Sequence, residues 1–236
     1  SDVITVLGGP HVTFTPNETL THPEIDIVVR HEGEYTMVEL CDVLLRGAGD
    51  IRRINGVSYR RNNQIVNNPP RPSIEDLDRL PFPARHLLPM SLYKIPGSLI
   101  TSRGCPSGCI FCSAQAMSGR RYRVRSPQNV VSEIEEMSQL FKPDFFFVAD
   151  DTFTIFRDRT RTICELFSQL GIKWVCESRA NIMDKNIILE LARSGCFAIQ
   201  YGVESGSQKV LDSIEKNITV EQVRNAVRWS KEAKIL

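Results

Sequence analysis

No stretch of this 236-residue chain is long and apolar enough to span a bilayer. The longest wholly apolar run, Phe145–Ala149, falls far short of the ~20 residues that a spanning helix needs. A charged-then-apolar secretory leader is also missing. Neither sign of charge dominates: 29 Lys plus Arg stand against 28 Asp plus Glu, a net of +1. That balance gives no electrostatic basis for a nucleic-acid or membrane-surface partner. An even, distributed set of cysteines is lacking as well, which excludes a secreted disulfide framework. The expectation is a cytoplasmic protein whose apolar fraction, 42%, suffices for a core without staples.

The ends carry no initiating Met and no tail. Asp2-Val3-Ile4-Thr5-Val6-Leu7 reads as a buried strand from the outset, and Ile235-Leu236 follow directly on a helical pattern. The chain is therefore expected to be the middle of a longer polypeptide.

Three regions follow one another. Residues 1–68 read as half of an α/β unit. A strand at 3–7 runs into the turn Gly8-Gly9-Pro10-His11, and a second apolar run covers 25–29. A helix with Met37, Val38, Leu40, Cys41, Leu44 and Leu45 at helical spacing ends at Gly47 and Gly49. A hairpin turns at Arg61-Asn62-Asn63. Residues 69–97 hold seven of the thirteen prolines, which predicts an extended, semi-rigid linker.

From residue 98 a βα rhythm begins, with strands near 98–102, 144–149, 173–176 and 196–201. Ser126-Pro127 opens a helix with Val130, Val131, Ile134, Met137, Leu140 and Phe141 on one face. Helices at 160–170 and 184–194 stop at Gly171 and Gly195. Thr219-Val220-Glu221-Gln222 matches a capping box that opens a last helix through Val223, Val227 and Trp229. The fold class is α/β. A full eight-unit barrel takes about 250 residues, so 98–236 reads as a partial (β/α) barrel.

Seven cysteines are spaced unevenly: Cys105, Cys109 and Cys112 cluster, while Cys41, Cys164, Cys176 and Cys196 are scattered and read as core residues. The clustered three lie on a loop that Gly104, Pro106 and Gly108 let fold tightly. Thiolates are soft donors suited to zinc or an iron–sulfur cluster. A structural zinc site takes four ligands, and no fourth Cys or His lies close downstream. Core packing and an incomplete zinc knuckle remain as plainer readings. His22, His31 and His86 show no spacing that suggests chemistry.

The spacing C-x3-C-x2-C with Phe111 before the last Cys, placed after the first barrel strand, resembles the radical S-adenosylmethionine (SAM) superfamily over residues 98–236. The resemblance implies a [4Fe–4S] cluster on Cys105, Cys109 and Cys112 with its fourth iron left for SAM. It implies SAM contacts from Phe111, from Asp150 or Asp151 to the methionyl ammonium, and from Arg179 to the carboxylate. Glu177 and Glu204 would reach the ribose or the ammonium. The family's Gly-Gly-Glu stretch is replaced here by Asp150-Asp151. The charged residues of this set follow predicted strands, the rim where barrel chemistry sits.

Gly8-Gly9-Pro10-His11 and Glu32-Gly33-Glu34 resemble the C-terminal half of the Rossmann-like cobalamin (B12)-binding domain that precedes many radical SAM domains. The resemblance implies contacts to cobalamin from Gly8, Gly9, Pro10, His11 and Glu32. The Asp-x-His-x-x-Gly signature of other cobalamin proteins does not occur, and His11 also reads as an ordinary turn histidine.

Taken together, the resemblance implies a cobalamin-dependent radical SAM methyltransferase that acts on an unactivated carbon through a 5′-deoxyadenosyl radical, with no catalytic residues beyond the cofactor ligands. The implied partners are a small-molecule or peptide substrate and an electron donor such as a flavodoxin or ferredoxin. One alternative is a cyclase or rearrangement enzyme with the same cofactors. Another, of a different class, is a zinc-stabilised interaction module.

Overall fold

The computed structural model describes residues 3–236, so Asp2, the expected first residue of the opening strand, lies outside them. Internal contacts divide the chain into two units. One runs to Ile74 and includes Ala116–Ser118; the other comprises Glu75–Gln115 and Gly119–Leu236.

The first unit is a four-stranded sheet in the order β1 (Val6–Gly8), β2 (Ile27–Val29), β3 (Val57–Arg61), β4 (Gln64–Asn67). β1 and β2 are parallel, and the remaining pairs are antiparallel. The short helices α1 (Pro10–Phe14) and α2 (Pro16–Thr19) connect β1 to β2, and α3 (Glu34–Arg46) connects β2 to β3. Alternation along β2 serves both faces. Ile27 and Val29 pack with Leu40 of α3, and Val28 packs with Val12 and Leu20 on the other side. Asn62 and Asn63 both take positive φ, 48° and 61°, which suits a two-residue hairpin turn.

Two expectations need correction here. The opening segment is not buried: Val3, Ile4 and Leu7 are exposed, because β1 is an edge strand with one neighbour. α3 shows Val38, Cys41 and Leu45 to solvent, so Cys41 is not a core cysteine. A single stripe through Leu40 and the half-buried Val43 and Leu44 meets the sheet.

The second unit is built on a fully parallel sheet in the order β10–β9–β8–β5. Its strands are β5 (Ser98–Leu99), β8 (Phe146–Val148), β9 (Trp174–Ser178) and β10 (Cys196–Tyr201). The strand expected at 98–102 is broken. After Leu99 the chain leaves the sheet, and β6 (Ser102–Arg103) pairs instead with β7 (Arg123–Val124). That separate ribbon encloses the cysteine loop and α4 (Ala114–Ser118).

The connecting helices are α5 (Pro127–Leu140), α6 (Arg157–Leu170), α7 (Lys185–Arg193), α8 (Gln208–Ser213) and α9 (Val220–Glu232). Their ends follow the sequence signals. The Ser126 and Asp184 side chains accept from the backbone N–H of Asn129 and Ile187, and Thr219 and Gln222 form the reciprocal capping box. Gly171 closes α6 with φ 63°, left-handed backbone that any side chain would strain. Some apolar faces are narrower than expected. Leu140 and Val227 are exposed, and α9 buries the small Ala226 and Ser230 instead. Ser230 Oγ lies 3.0 Å from the Tyr201 hydroxyl of β10.

The core centres on Trp174, against which Phe153 and Phe167 stand edge-on at 5.4 and 5.1 Å. The indole N–H donates to Ser194 O at 3.0 Å, satisfying a group that would be costly to bury unpaired. Cys164, Cys176 and Cys196 belong to this core. Burial pushes the Cys164 thiol up to about 12. Among the described residues no helix is long and apolar enough to cross a membrane.

The proline-rich strap is extended, with single turns at Leu77–Arg79, Arg85–Leu87 and Met90–Leu92. Its larger part is not a free linker. The buried Arg85 bonds to Glu133 of α5 at 2.6 Å and to Ser98 O at 3.2 Å. Glu133 also takes Arg125, so one buried carboxylate is shared by two guanidinium groups. Asp78 accepts the Ser126 N–H at 2.9 Å. Glu133→Gln should leave both arginines without their anion and cost roughly 3–5 kcal/mol, read as a lowered urea midpoint at neutral pH. An unchanged midpoint would mean that the network contributes nothing.

Candidate cofactor site

In a parallel sheet every strand points its carboxyl end the same way, and ligands gather there. At that end of the second unit lies a cavity of about 270 Å³. The loop after β5 supplies one wall, and the exits of β8, β9 and β10 supply the other.

The loop is fixed by backbone geometry. Gly104 has φ 91°, and a Cβ there would stand 2.2 Å from Arg121 O, so no other residue fits without moving the β6–β7 ribbon. The Cys105 N–H donates to Gly119 O at 3.2 Å, and the Cys112 N–H to Cys109 O at 3.2 Å. The Ile110 N–H reaches Ile214 O at 3.2 Å, tying the loop to the end of α8. Cys105, Cys109 and Cys112 all line the cavity as free thiols, the first two buried and the third exposed. The Ala114 N–H donates to Cys112 Sγ at 3.4 Å.

Asp150 and Asp151 have different roles despite being adjacent. Asp150 has no exposure and does not line the cavity. Its carboxylate accepts the Thr101 N–H and hydroxyl, each at 2.6 Å, and the Ser102 N–H at 3.0 Å. Burial holds its pKa above the ordinary carboxylate range despite these bonds. The expected contact from Asp150 to SAM is therefore corrected: this residue anchors the start of the cysteine loop. Asp151 opens onto the cavity.

Glu177 lines the same wall. Desolvation first, and then the charge of Asp150, raise the pKa of Asp151. Desolvation, and then Asp151 and Asp150, raise that of Glu177. Such a wall favours a cation.

Arg179 also lines the cavity, but its donors are engaged. Nη1 reaches Cys109 Sγ at 3.3 Å, Nη2 bonds to Lys216 O, and Nε lies 3.4 Å from Asn181 Oδ1. The expected fork toward a ligand carboxylate is not poised in this arrangement. Glu204, with φ 64°, accepts from Lys216 Nζ at 2.8 Å. That ammonium stands 5.6 Å from the centre of the Phe111 ring. Phe111 and Glu204 thus border the cavity as expected.

Sequence reasoning missed Lys216, Thr152, Ser178 and Gln200, which share the lining. Gln200 carried a signal, a polar residue near the end of an otherwise apolar strand. Lys216 carried none, because α8 intervenes between it and Glu204. Tyr122 was also missed. Its hydroxyl donates to Thr152 O at 3.0 Å and lies 3.3 Å from Phe153 O, holding the loop after β8.

The residues expected for cobalamin belong to the first unit. Gly8 ends β1, Gly9 turns with φ 104°, Pro10 and His11 open α1, and Glu32 follows β2. All stand at the carboxyl ends of the parallel pair. Glu32 Oε2 accepts the Ile74 N–H at 2.7 Å, so one of its oxygens closes the unit's own chain.

Among the described residues no three His, Cys, Asp or Glu side chains gather tightly enough for a single metal ion, which speaks against a zinc knuckle. Three free thiols around one cavity, with a backbone N–H and a guanidinium directed at their sulfurs, fit an iron–sulfur cluster.

Comparison with known proteins agrees. The sequence profile of the Radical SAM superfamily matches residues 99–236, and that of the B12 binding domain matches 1–41. The chain is 40% identical to a protein of Pyrococcus horikoshii named as an uncharacterized methyltransferase, over 98% of this chain and 51% of that one. It is 34% identical to the anaerobic magnesium-protoporphyrin IX monomethyl ester cyclase of Rubrivivax gelatinosus, over 98% and 44%. The chain thus spans about half the length of the curated relatives it matches. The structure of the cobalamin-dependent SAM radical enzyme OxsB superposes with a TM-score of 0.82 at 24% identity, covering 98% of this chain and 35% of that one. Three thiols beyond a parallel sheet and a profile match across that whole sheet place this chain in the radical SAM superfamily.

Proposed function

We propose that this chain forms the catalytic centre of a cobalamin-dependent radical SAM enzyme, a methyltransferase acting on an unactivated carbon of a small-molecule or peptide substrate. Residues 1–68 would serve as part of the B12-binding domain, 69–97 as the connection, and 98–236 as the amino-terminal part of the radical SAM barrel. The setting is the cytoplasm, with an electron donor of the flavodoxin or ferredoxin kind. The observation that carries the reading is the convergence of Cys105, Cys109 and Cys112 on a cavity whose opposite wall bears Asp151, Glu177 and Glu204.

Bound there, the cluster supplies the electron that splits SAM into methionine and a 5′-deoxyadenosyl radical, and cobalamin supplies the methyl group. The protein's part is to bind and orient. Gly104 and the β6–β7 ribbon present the three thiols. Asp151 and Glu177 offer negative charge to the ammonium and sulfonium of SAM. Lys216 and Glu204 form a charged pair beside them, and Phe111 covers the ammonium of that pair. At the carboxyl ends of β1 and β2, the turn Gly8-Gly9 leaves backbone open to close approach by a flat ligand.

The likeness to a cyclase at 34% identity favours one other reading, cyclisation with the same cofactors. Product mass separates the two, since methylation adds one CH2.

Anaerobic reconstitution should give about four iron per chain, and Cys105→Ala, Cys109→Ala or Cys112→Ala should each abolish SAM cleavage, followed as release of 5′-deoxyadenosine. Undiminished cleavage in all three variants would refute the assignment.

The acidic wall predicts a pH dependence. Asp151 and Glu177 titrate higher in the folded chain than in the unfolded one, so their charge opposes folding above the ordinary carboxylate range, about pH 4. The penalty is absent below that range and complete once pH exceeds the raised values. Asp151→Asn should therefore melt higher than wild type near pH 7 without ligand, and the gap should close as pH falls toward 4. The same variant should bind SAM more weakly. Equal melting curves at every pH would show that the two carboxylates do not oppose each other.

A further inference from the structure

The cavity wall holds a cation whose anion is not a carboxylate. Arg179 is buried, and among the described residues no Asp or Glu oxygen pairs with it. Its three contacts are Cys109 Sγ at 3.3 Å, the carbonyl of Lys216 and the amide oxygen of Asn181. Two of these are neutral. A guanidinium stays charged under all working conditions, and an unpaired charge in a desolvated site is expensive. The group able to balance it is the sulfur of Cys109, provided that sulfur is a thiolate. The placement is also rigid. Arg179 follows β9 directly, Lys216 O fixes one end of the fork, and the Ile110 N–H to Ile214 O bond fixes the loop that carries Cys109.

We propose that Arg179 acts on the cluster rather than on the SAM carboxylate: its guanidinium donates to the Cys109 thiolate and raises the cluster's reduction potential. The inference rests on the reading of the three cysteines as cluster ligands. Three thiolates leave the oxidised cluster net negative, and the one electron taken from the reduced flavodoxin- or ferredoxin-type donor adds to that charge. A fixed positive group hydrogen-bonded to a ligand sulfur stabilises the reduced state more than the oxidised one, because the attraction grows with the added charge. Arg179 is thus a positioning residue. It holds Cys109 as thiolate and eases electron uptake, and it touches neither substrate nor radical.

The test compares wild type, Arg179→Gln and Arg179→Lys as full chains reconstituted anaerobically with iron and sulfide. The readout is the midpoint potential of the cluster, obtained by redox titration followed by electron paramagnetic resonance without SAM. Arg179→Gln should keep its iron and titrate at a more negative potential. Arg179→Lys, which retains the charge but not the fork, should show a smaller shift of the same sign. SAM affinity, measured by equilibrium dialysis on the oxidised proteins, should change less than about threefold, within ~0.7 kcal/mol.

An unchanged midpoint in an iron-loaded Gln variant overturns the proposal, as does an unchanged midpoint with SAM affinity lowered tenfold or more, which would return Arg179 to the ligand carboxylate. If the Gln variant retains no iron, the Lys variant decides by the same criterion: a negative shift supports the role and none overturns it. A wild-type chain that takes up no iron fails at the earlier step, the cluster itself, and the role of Arg179 falls with it.

Discussion

The geometry of the site hangs on one buried carboxylate. β5 contributes two residues to the sheet and pairs with β8 alone, a weak hold for a strand that must launch the cysteine loop. Asp150 compensates. From the end of β8 it takes the N–H groups of Thr101 and Ser102 and the Thr101 hydroxyl. From the other side Arg159 donates to Thr101 O and Arg125 O, each at 2.9 Å. The turn is thus gripped by its donors and by its acceptors. Burying a carboxylate costs several kcal/mol unless its lone pairs are met, and three short bonds to one turn meet them. Where the loop starts, and hence where the three sulfurs can stand, follows from that grip.

The neighbouring residue shows why two acids occur in succession. At a strand's exit successive side chains point to opposite sides. Asp150 turns into the protein and becomes structural, while Asp151 turns to the cavity and remains available. With Glu177 beside it the cavity gathers like charge in a partly desolvated wall, an arrangement that costs stability in the empty protein and is relieved by a cation. The core beneath, where Phe153 and Phe167 brace Trp174, carries that cost.

Local signals in the sequence were legible because their physics is local. Ser126, Asp184 and Thr219 announce helix starts within four residues, Gly171 announces a stop, and three cysteines within eight residues announce a soft-donor site. The alternating helices and strands gave the α/β class for the same reason. Illegible were features decided by distant partners. Asp150 and Asp151 are chemically identical, and only the strand's register separates them. Arg179 reads as an anion binder until Cys109, seventy residues earlier, is found beside it. Lys216 has no motif, and its partner Glu204 is reached across α8. The strap was legible as extended from its prolines, but its attachment rests on Arg85 meeting Glu133 forty-eight residues on. The exposed Val38 and Leu45 mislead for a related reason: helical spacing reports which residues share a face, and not whether anything covers it.

The cavity's two basic groups complete the electrostatic picture. Arg179 is committed to sulfur and backbone carbonyl, and Lys216 to Glu204. A ligand that carries both an ammonium and a carboxylate therefore meets an asymmetric site. Its cationic end finds Asp151 and Glu177 without displacing any bond, whereas its anionic end has to compete with Glu204 for Lys216. Part of the attraction gained there is spent on parting an existing pair, and Glu204 is then free to turn toward other donors such as ribose hydroxyls. Because Glu204 is partly exposed while Lys216 is almost fully covered, the carboxylate is the partner that moves at least cost, and the ammonium beside Phe111 stays in place as the fixed point against which the ligand is aligned.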